Sequence, residues 1–322
     1  MSLVSVIIST YNSAAFIIET LESILHQSWK EIELIITDDA STDDTVTICR
    51  HWLEVNSGRF TGVQVITSEV NTGVSANANR GLRAAKGEWV KFIGSDDTLL
   101  PGCIEDNMHF IAENPSIRIL FSRINIYNNK FSPANFLETT PAGEIATDSI
   151  LWPGRNAGSQ YRMLLVADRI HFSPSVFMHR DLVISLGGFD EKFRLLEDYP
   201  LWLNITKNGH KLYFMDKVTV NYRQHRGAIN NTGRTFLVNP NYFRAEPFRM
   251  LYTYPFLPPL VRSEQKFRWI VSQFFRNDLL NRSTVLTSFL FRTLTIYLNP
   301  FRYIIKLGKV FRKDLMKSEF YS

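Results

Sequence analysis

The sequence predicts an α/β fold built on a mostly parallel sheet with helices on both faces. Short runs rich in Val and Ile alternate with segments of helical period, and the spacing leaves room for a crossover helix after each strand. The ends of successive strands also gather Asp, Asn, Ser and Thr, as 9-STYN-12, 38-DDAS-41, 67-TSEVNTG-73 and 94-GSDD-97. With 322 residues, 45% hydrophobic and 21% charged, the chain can bury a core, which excludes a disordered class. Cys49 and Cys103 lie in apolar segments, build no disulfide framework and fit a reducing cytoplasm.

Leu3–Thr10 reads as the first strand, because 1-MSLVSVIISTYN-12 lacks the basic start and cleavage site of a signal peptide. A helix follows from about Ser13, with Phe16, Ile17, Thr20, Leu21, Ile24 and Leu25 on one face. Glu33–Thr37 is the second strand. Ser41 followed by Asp44 then predicts a capping-box-like start for a helix carrying Val46, Cys49, Trp52 and Leu53. Val63–Thr67 is the third strand, leading through 71-NTG-73 into a helix that Gly87 stops after Lys86. Trp89–Ile93 is the fourth, breaking at Gly94. A helix over 102–114 precedes a strand over Ile117–Ile126. Residues 131–160 mix Pro, Gly and Ala with little periodicity and read as a lid or binding loop, and regular structure returns near residues 171–189.

Ligands of parallel sheets collect at the carboxyl ends of the strands. Asp38, Asp39, Asp96 and Asp97 stand at two such ends, where four carboxylates repel unless something positive sits among them. Mg2+ or Mn2+, bound through one or two carboxylates and a substrate diphosphate, supplies that charge. Helix capping explains either pair by itself. Their joint position on consecutive strand ends favours a site.

The stretches 4-VSVIISTYN-12, 35-IITDDASTDDT-45, 71-NTGVSANANRGLRAAKGEWVKFIGSDD-97, 187-GGFDEKF-193 and 197-EDYPLW-202 resemble, in order and spacing, the motifs of glycosyltransferase family 2, over about residues 3–226. The resemblance implies a GT-A fold, Rossmann-like and mostly parallel, in an inverting, metal-dependent glycosyltransferase of the hexosyltransferase class. Residues 1–105 would be the nucleotide-sugar half and 106–239 the acceptor and catalytic-base half. Thr10 and Tyr11 would line the nucleotide pocket, and Asp39 would bond a pyrimidine base, whose N3–H is a donor. Asp96 would contact the ribose or the metal's surroundings and Asp97 the metal, their side chains leaving the strand in different directions. Asp198 matches the catalytic base, with Glu197 beside it. Arg223, His225 and Arg226 match a segment that approaches the diphosphate. The sequence departs from the family where Gly94 stands in place of a frequent Asp and Ala78 in place of a frequent Arg, with Arg80 two positions later. The implied donor is a UDP- or dTDP-sugar, and the implied acceptor a saccharide, lipid-linked, in surface polysaccharide synthesis. Two alternatives are a sugar-nucleotide pyrophosphorylase and a non-catalytic nucleotide-sugar scaffold. The first would want a Gly-rich basic loop that 9-STYNSA-14 does not offer, and retention of Glu197 and Asp198 counts against the second.

Charge divides the chain. Residues 1–239 hold 22 Lys and Arg against 26 Asp and Glu, net −4, whereas residues 240–322 hold 14 against 5, net +9. This basic, aromatic extension is expected to form amphipathic helices that lie on an anionic membrane surface through residues 262–317, placing the protein on the inner face of the membrane as a peripheral cytoplasmic enzyme. Packing on the catalytic domain or dimer contact is the competing explanation. No nucleic-acid recognition motif is present.

Overall fold

The computed structural model describes residues 2–194, 196–225, 236–277, 280–311 and 320. The chain divides into two compact units, Met1–Gln160 with Ile170–Gln224, and Tyr161–Arg169 with His225–Ser322.

In the first unit β1 (Val4–Thr10), α1 (Ile17–Leu25), β2 (Ile32–Asp38), α2 (Thr45–Asn56), β3 (Gly62–Thr67), α3 (Val74–Ala84) and β4 (Trp89–Gly94) alternate as the sequence pattern predicts. The strands lie in the order β3, β2, β1, β4, all parallel. Every residue of β2 is buried, as expected of a strand covered on both faces, so its apolar residues Leu34, Ile35 and Ile36 run consecutively rather than alternating. α1 buries Ile17, Thr20, Leu21 and Ile24, and α2 buries Thr45, Cys49, Trp52 and Leu53.

The unit continues with β5 (Thr98–Leu99), α4 (Cys103–Glu113), β6 (Ile119–Asn128), β7 (Phe136–Thr140), the start of α5 (Ala157–Val166), β8 (Phe177–His179), α6 (Arg180–Ser185), α7 (Asp198–Lys207) and β9 (Leu212–Gln224). β8 joins β4 to β6 and is antiparallel to both, β9 runs parallel to β6, and β5 closes the edge antiparallel to β9. The first unit ends at Gln224, the last residue of β9 paired with β6. Residues 131–160 also differ from the featureless loop expected. β7 pairs antiparallel with β6, held by Thr139 Oγ1 donating to Asn125 Oδ1 (2.7 Å) and by the Tyr127 and Phe136 rings 5.5 Å apart. Cross-strand pairs of this kind leave little trace in sequence periodicity. Trp202 is a core residue, edge-on to Phe121 at 4.9 Å.

The second unit contains α8 (Pro240–Arg244), α9 (Glu246–Tyr252), α10 (Pro259–Phe274), α11 (Val285–Arg292) and α12 (Pro300–Phe311), with a π turn at Thr293–Tyr297. Val238, Val271 and Phe275 centre its core, ringed by Phe243, Phe267, Phe291 and Leu294. Thr284 caps α11 reciprocally with Thr287. Among the described residues no helix is long and apolar enough to cross a membrane.

Candidate functional site

Sheet register brings the strand ends together: Thr10 pairs with Asp38, and Ser9 with Gly94. The loops beyond them are stitched to one another. Asn12 and Ala40 adopt left-handed φ values of 50° and 65°, and Asn12 Oδ1 accepts from the Thr42 N–H (2.8 Å) while its own N–H donates to Ser41 Oγ (2.8 Å). Asp38 Oδ1 accepts from the Ser41 N–H (2.8 Å) and its Oδ2 from Thr10 Oγ1 (2.7 Å). Ser41 therefore closes the strand-end turn instead of capping α2, whose Thr45 N–H donates to Asp43 Oδ1 (3.1 Å). Thr10 is buried with its hydroxyl on Asp38, so of the two residues expected to line a nucleotide pocket only Tyr11, 50% exposed, presents its side chain to solvent.

Asp39 is buried and surrounded by donors. Its Oδ1 accepts from Thr72 Oγ1 (2.7 Å) and Arg80 Nη2 (2.7 Å), and its Oδ2 from the Gly73 N–H (2.7 Å), with the Thr72 N–H near both. Burial pushes the carboxyl up, but the Arg80, Thr72 and Gly73 hydrogen bonds outweigh it and hold Asp39 below the ordinary carboxylate range. Arg80, two positions beyond Ala78 on α3, thus reaches the carboxylate.

Asp97 is the opposite case. Among the described residues its side chain accepts one hydrogen bond, from the Arg223 N–H to Oδ1 (2.8 Å). Burial, then the like charge of Asp96, push its pKa well above the ordinary value, against the Arg223 and Lys91 contributions. A Cβ on Gly94 would lie 2.8 Å from Asp96 Oδ1 and 3.4 Å from Asp97 Oδ2. The two carboxylates therefore converge on the space that glycine leaves open, which corrects the expectation that they point apart. Two converging acceptors, one enclosed and short of positive partners, fit a hard divalent cation. Among the described residues no three His, Cys, Asp or Glu side chains gather as a complete cage, so substrate and water would supply the remaining ligands.

Arg223 fixes this turn from beneath. Its Nε donates to the Asp96 carbonyl (2.8 Å), Nη1 to the Asn129 carbonyl and Nη2 to Glu19 Oε2 (2.8 Å), and its guanidinium lies 4.0 Å from the Phe131 ring centre. It is 2% exposed, a buried clamp rather than a side chain free to approach a diphosphate. His225 is half-buried and opens the second unit, and Arg226 lies outside the described residues. Lys91, which sequence reasoning passed over inside a strand, is fully buried and donates to the Pro174 and Val176 carbonyls. Burial draws its pKa down to about 8, against the pull of Cys103 and Asp97.

Glu197 is the N-cap of α7 and Asp198 its first residue, both half-buried, where free N–H groups of a first turn favour a carboxylate. The preceding segment is pinned to α3. Asn79 Nδ2 donates to the Phe189 carbonyl (2.9 Å) and Glu191 Oε1 (2.7 Å), and the Val74 N–H donates to the Arg194 carbonyl (3.1 Å). Gly73, at φ 95°, is required there, since a Cβ would sit 2.8 Å from the Arg194 carbonyl oxygen. The partners Thr72, Asn79 and Glu19 were not found from sequence. Their only signal was position within the 71–81 motif or on the α1 face, which does not say what they touch.

A family model described as "Glycosyl transferase family 2" matches residues 5–172. WfaP of Escherichia coli, named UDP-Glc:alpha-D-GlcNAc-diphosphoundecaprenol beta-1,3-glucosyltransferase, is 32% identical over 232 residues, 71% of this chain and 80% of the relative. The structure of S. aureus TarS 1-349 in complex with UDP-GlcNAc aligns with TM-score 0.57 at 19% identity, covering 95% of this chain and 83% of that one. Mannosyltransferase PcManGT from Pyrobaculum calidifontis, in complex with GDP-Man and Mn2+, aligns at 0.52 and 15% identity, covering 99% and 84%. Both structures share the GT-A-like fold.

Proposed function

The chain belongs to glycosyltransferase family 2, and on that premise we propose that it is an inverting hexosyltransferase moving a sugar from a UDP or dTDP donor to a lipid-linked saccharide acceptor in surface polysaccharide synthesis. The observation that carries the reading is the Asp96–Asp97 pair, converging over Gly94 at the same sheet edge as Tyr11 and Asp39. The donor and acceptor classes are supported by the name of the E. coli relative, which uses UDP-glucose and an acceptor on diphosphoundecaprenol.

A pyrimidine presents an N3–H donor between two carbonyl acceptors, and the Asp39–Arg80 pair offers the complementary acceptor and donors. Base binding at Asp39 would exchange one of its present hydrogen bonds for the N3–H. Asp97, with Asp96 converging beside it, would hold Mg2+ or Mn2+, which when bound would neutralise charge on the departing nucleoside diphosphate. Asp198 takes the proton from an acceptor hydroxyl as its oxygen bonds the anomeric carbon and the bond from that carbon to the diphosphate oxygen breaks. One displacement from the opposite face inverts the configuration.

Asp198→Asn is expected to lower transfer from UDP-glucose by about 10²–10⁴-fold while UDP affinity measured by calorimetry stays unchanged. Transfer at the wild-type rate would remove Asp198 as the base.

A further inference from the structure

We propose that the second unit docks on an anionic lipid surface through apolar faces of α11 and α12 that point away from its own core. Fifteen of the twenty-three exposed large hydrophobic side chains among the described residues fall between Met250 and Leu307, so apolar exposure is concentrated in this unit. On α11, Val285, Leu286, Phe289 and Leu290 form one stripe, with Val285 91% and Phe289 64% exposed. The other side of that helix buries Thr287 and turns Phe291 edge-on to Phe275 at 5.2 Å. On α12, Tyr303, Ile304 and Leu307 are exposed, while Phe301 meets Phe267 of α10 at 6.2 Å. Each helix therefore packs with one apolar face and offers a second to solvent, the reverse of the polar outer face of an ordinary surface helix.

Charge selects the occupant. Residues 280–307 contain no Asp or Glu, but do contain Arg282, Arg292, Arg302 and Lys306. The nearest described acids are engaged inside the unit: Glu264 is buried with its Oε1 accepting from Asn299 (3.3 Å), and Glu246 pairs with Arg249 (3.3 Å). A second copy of this face would bring like charges together with no acid in the segment to pair them. Anionic headgroups provide the opposite charge, and acyl chains take up the stripe, with the Arg and Lys side chains reaching outward along it. The inference stands on this unit alone and does not depend on the donor or the acceptor assigned above.

Co-sedimentation of the full chain with vesicles of phosphatidylcholine, with and without phosphatidylglycerol, tests it. Wild type is expected to sediment with the anionic vesicles and to be released by salt. The double variant L286S/F289S is expected to lose about tenfold or more in partitioning, and R292Q/K306Q to lose both affinity and salt dependence. All three proteins are expected to give the same far-ultraviolet circular dichroism and the same cooperative thermal melt, which shows that each is folded. The proposal is overturned if wild type ignores anionic vesicles, or if the L286S/F289S protein sediments as well as wild type. It is equally overturned if sedimentation velocity shows a dimer that L286S/F289S dissociates while vesicle binding is unaffected.

Discussion

Asp39 and Asp97 are each 3% exposed and each follow a strand of the same parallel sheet, yet their charges are met in opposite ways. Asp39 already has a guanidinium, a hydroxyl and two backbone N–H groups on its oxygens. Asp97, among the described residues, accepts from one backbone N–H and has a second carboxylate beside it, so that the Arg223 and Lys91 charges do not offset its burial. The comparison separates a carboxylate that organises the fold from one that the ligand-free fold leaves short of positive charge. Identical residue types after strands of one sheet thus sit in different electrostatic settings, and the difference lies in what the neighbouring segments bring to them.

The largest effect is expected from breaking the Asp97 side. Asp97→Asn keeps an acceptor for the Arg223 N–H but removes the buried charge, so transfer should fall by at least about a hundredfold and nucleotide binding should lose its response to Mn2+. The same substitution should raise the melting temperature of the metal-free protein by about 2–4 °C, since one of two repelling carboxylates is gone. Activity assays and thermal melts on one preparation would reveal this inverse relation between function and stability.

Asp39→Asn should do the reverse. An amide there sets an N–H against the Thr72 or Gly73 N–H and leaves Arg80 without its ion pair, which should destabilise by about 1–3 kcal/mol. The pH dependence has a definite sign. Because the folded pKa of Asp39 is depressed, its stabilisation is present above the unfolded value of about 3.8 and is lost as pH falls through the lower folded value. The difference in melting temperature between wild type and Asp39→Asn should therefore be full near neutrality and shrink below pH about 3.8. A difference independent of pH would contradict the charge-based account. Arg80→Met is the smallest perturbation, expected at about 1 kcal/mol because Thr72 and Gly73 still hold the carboxylate, and measurable by denaturant titration.

Much of this contrast was visible in the sequence, and its limits have physical causes. The four parallel strands were legible because burial on both faces gives β1 and β2 consecutive apolar residues, Val6, Ile7 and Ile8 in one and Leu34, Ile35 and Ile36 in the other. The Asp pairs were legible because a strand followed by a polar turn marks a carboxyl end. What the sequence did not disclose was company: Arg80 lies 41 residues from Asp39 and Arg223 lies 126 from Asp97, so only the folded sheet brings them together. The three residues of β8 and two of β5 are too short for any alternation to register, although they place β9 beside the Asp96–Asp97 turn. The apolar and basic composition of the extension was plain, whereas which faces pack and which remain exposed depends on the contacts of α10.

The most direct test of the contrast is a thermal melt of wild type, Asp39→Asn and Asp97→Asn with UDP, in chelator and then in Mn2+. The account predicts that Mn2+ with UDP raises the melting temperature of wild type by about 5 °C or more at saturating ligand, that Asp39→Asn responds to Mn2+ from its lower starting point, and that Asp97→Asn does not respond. A full Mn2+ response in Asp97→Asn, or its loss in Asp39→Asn alone, would contradict the assignment of the cation to the end of β4.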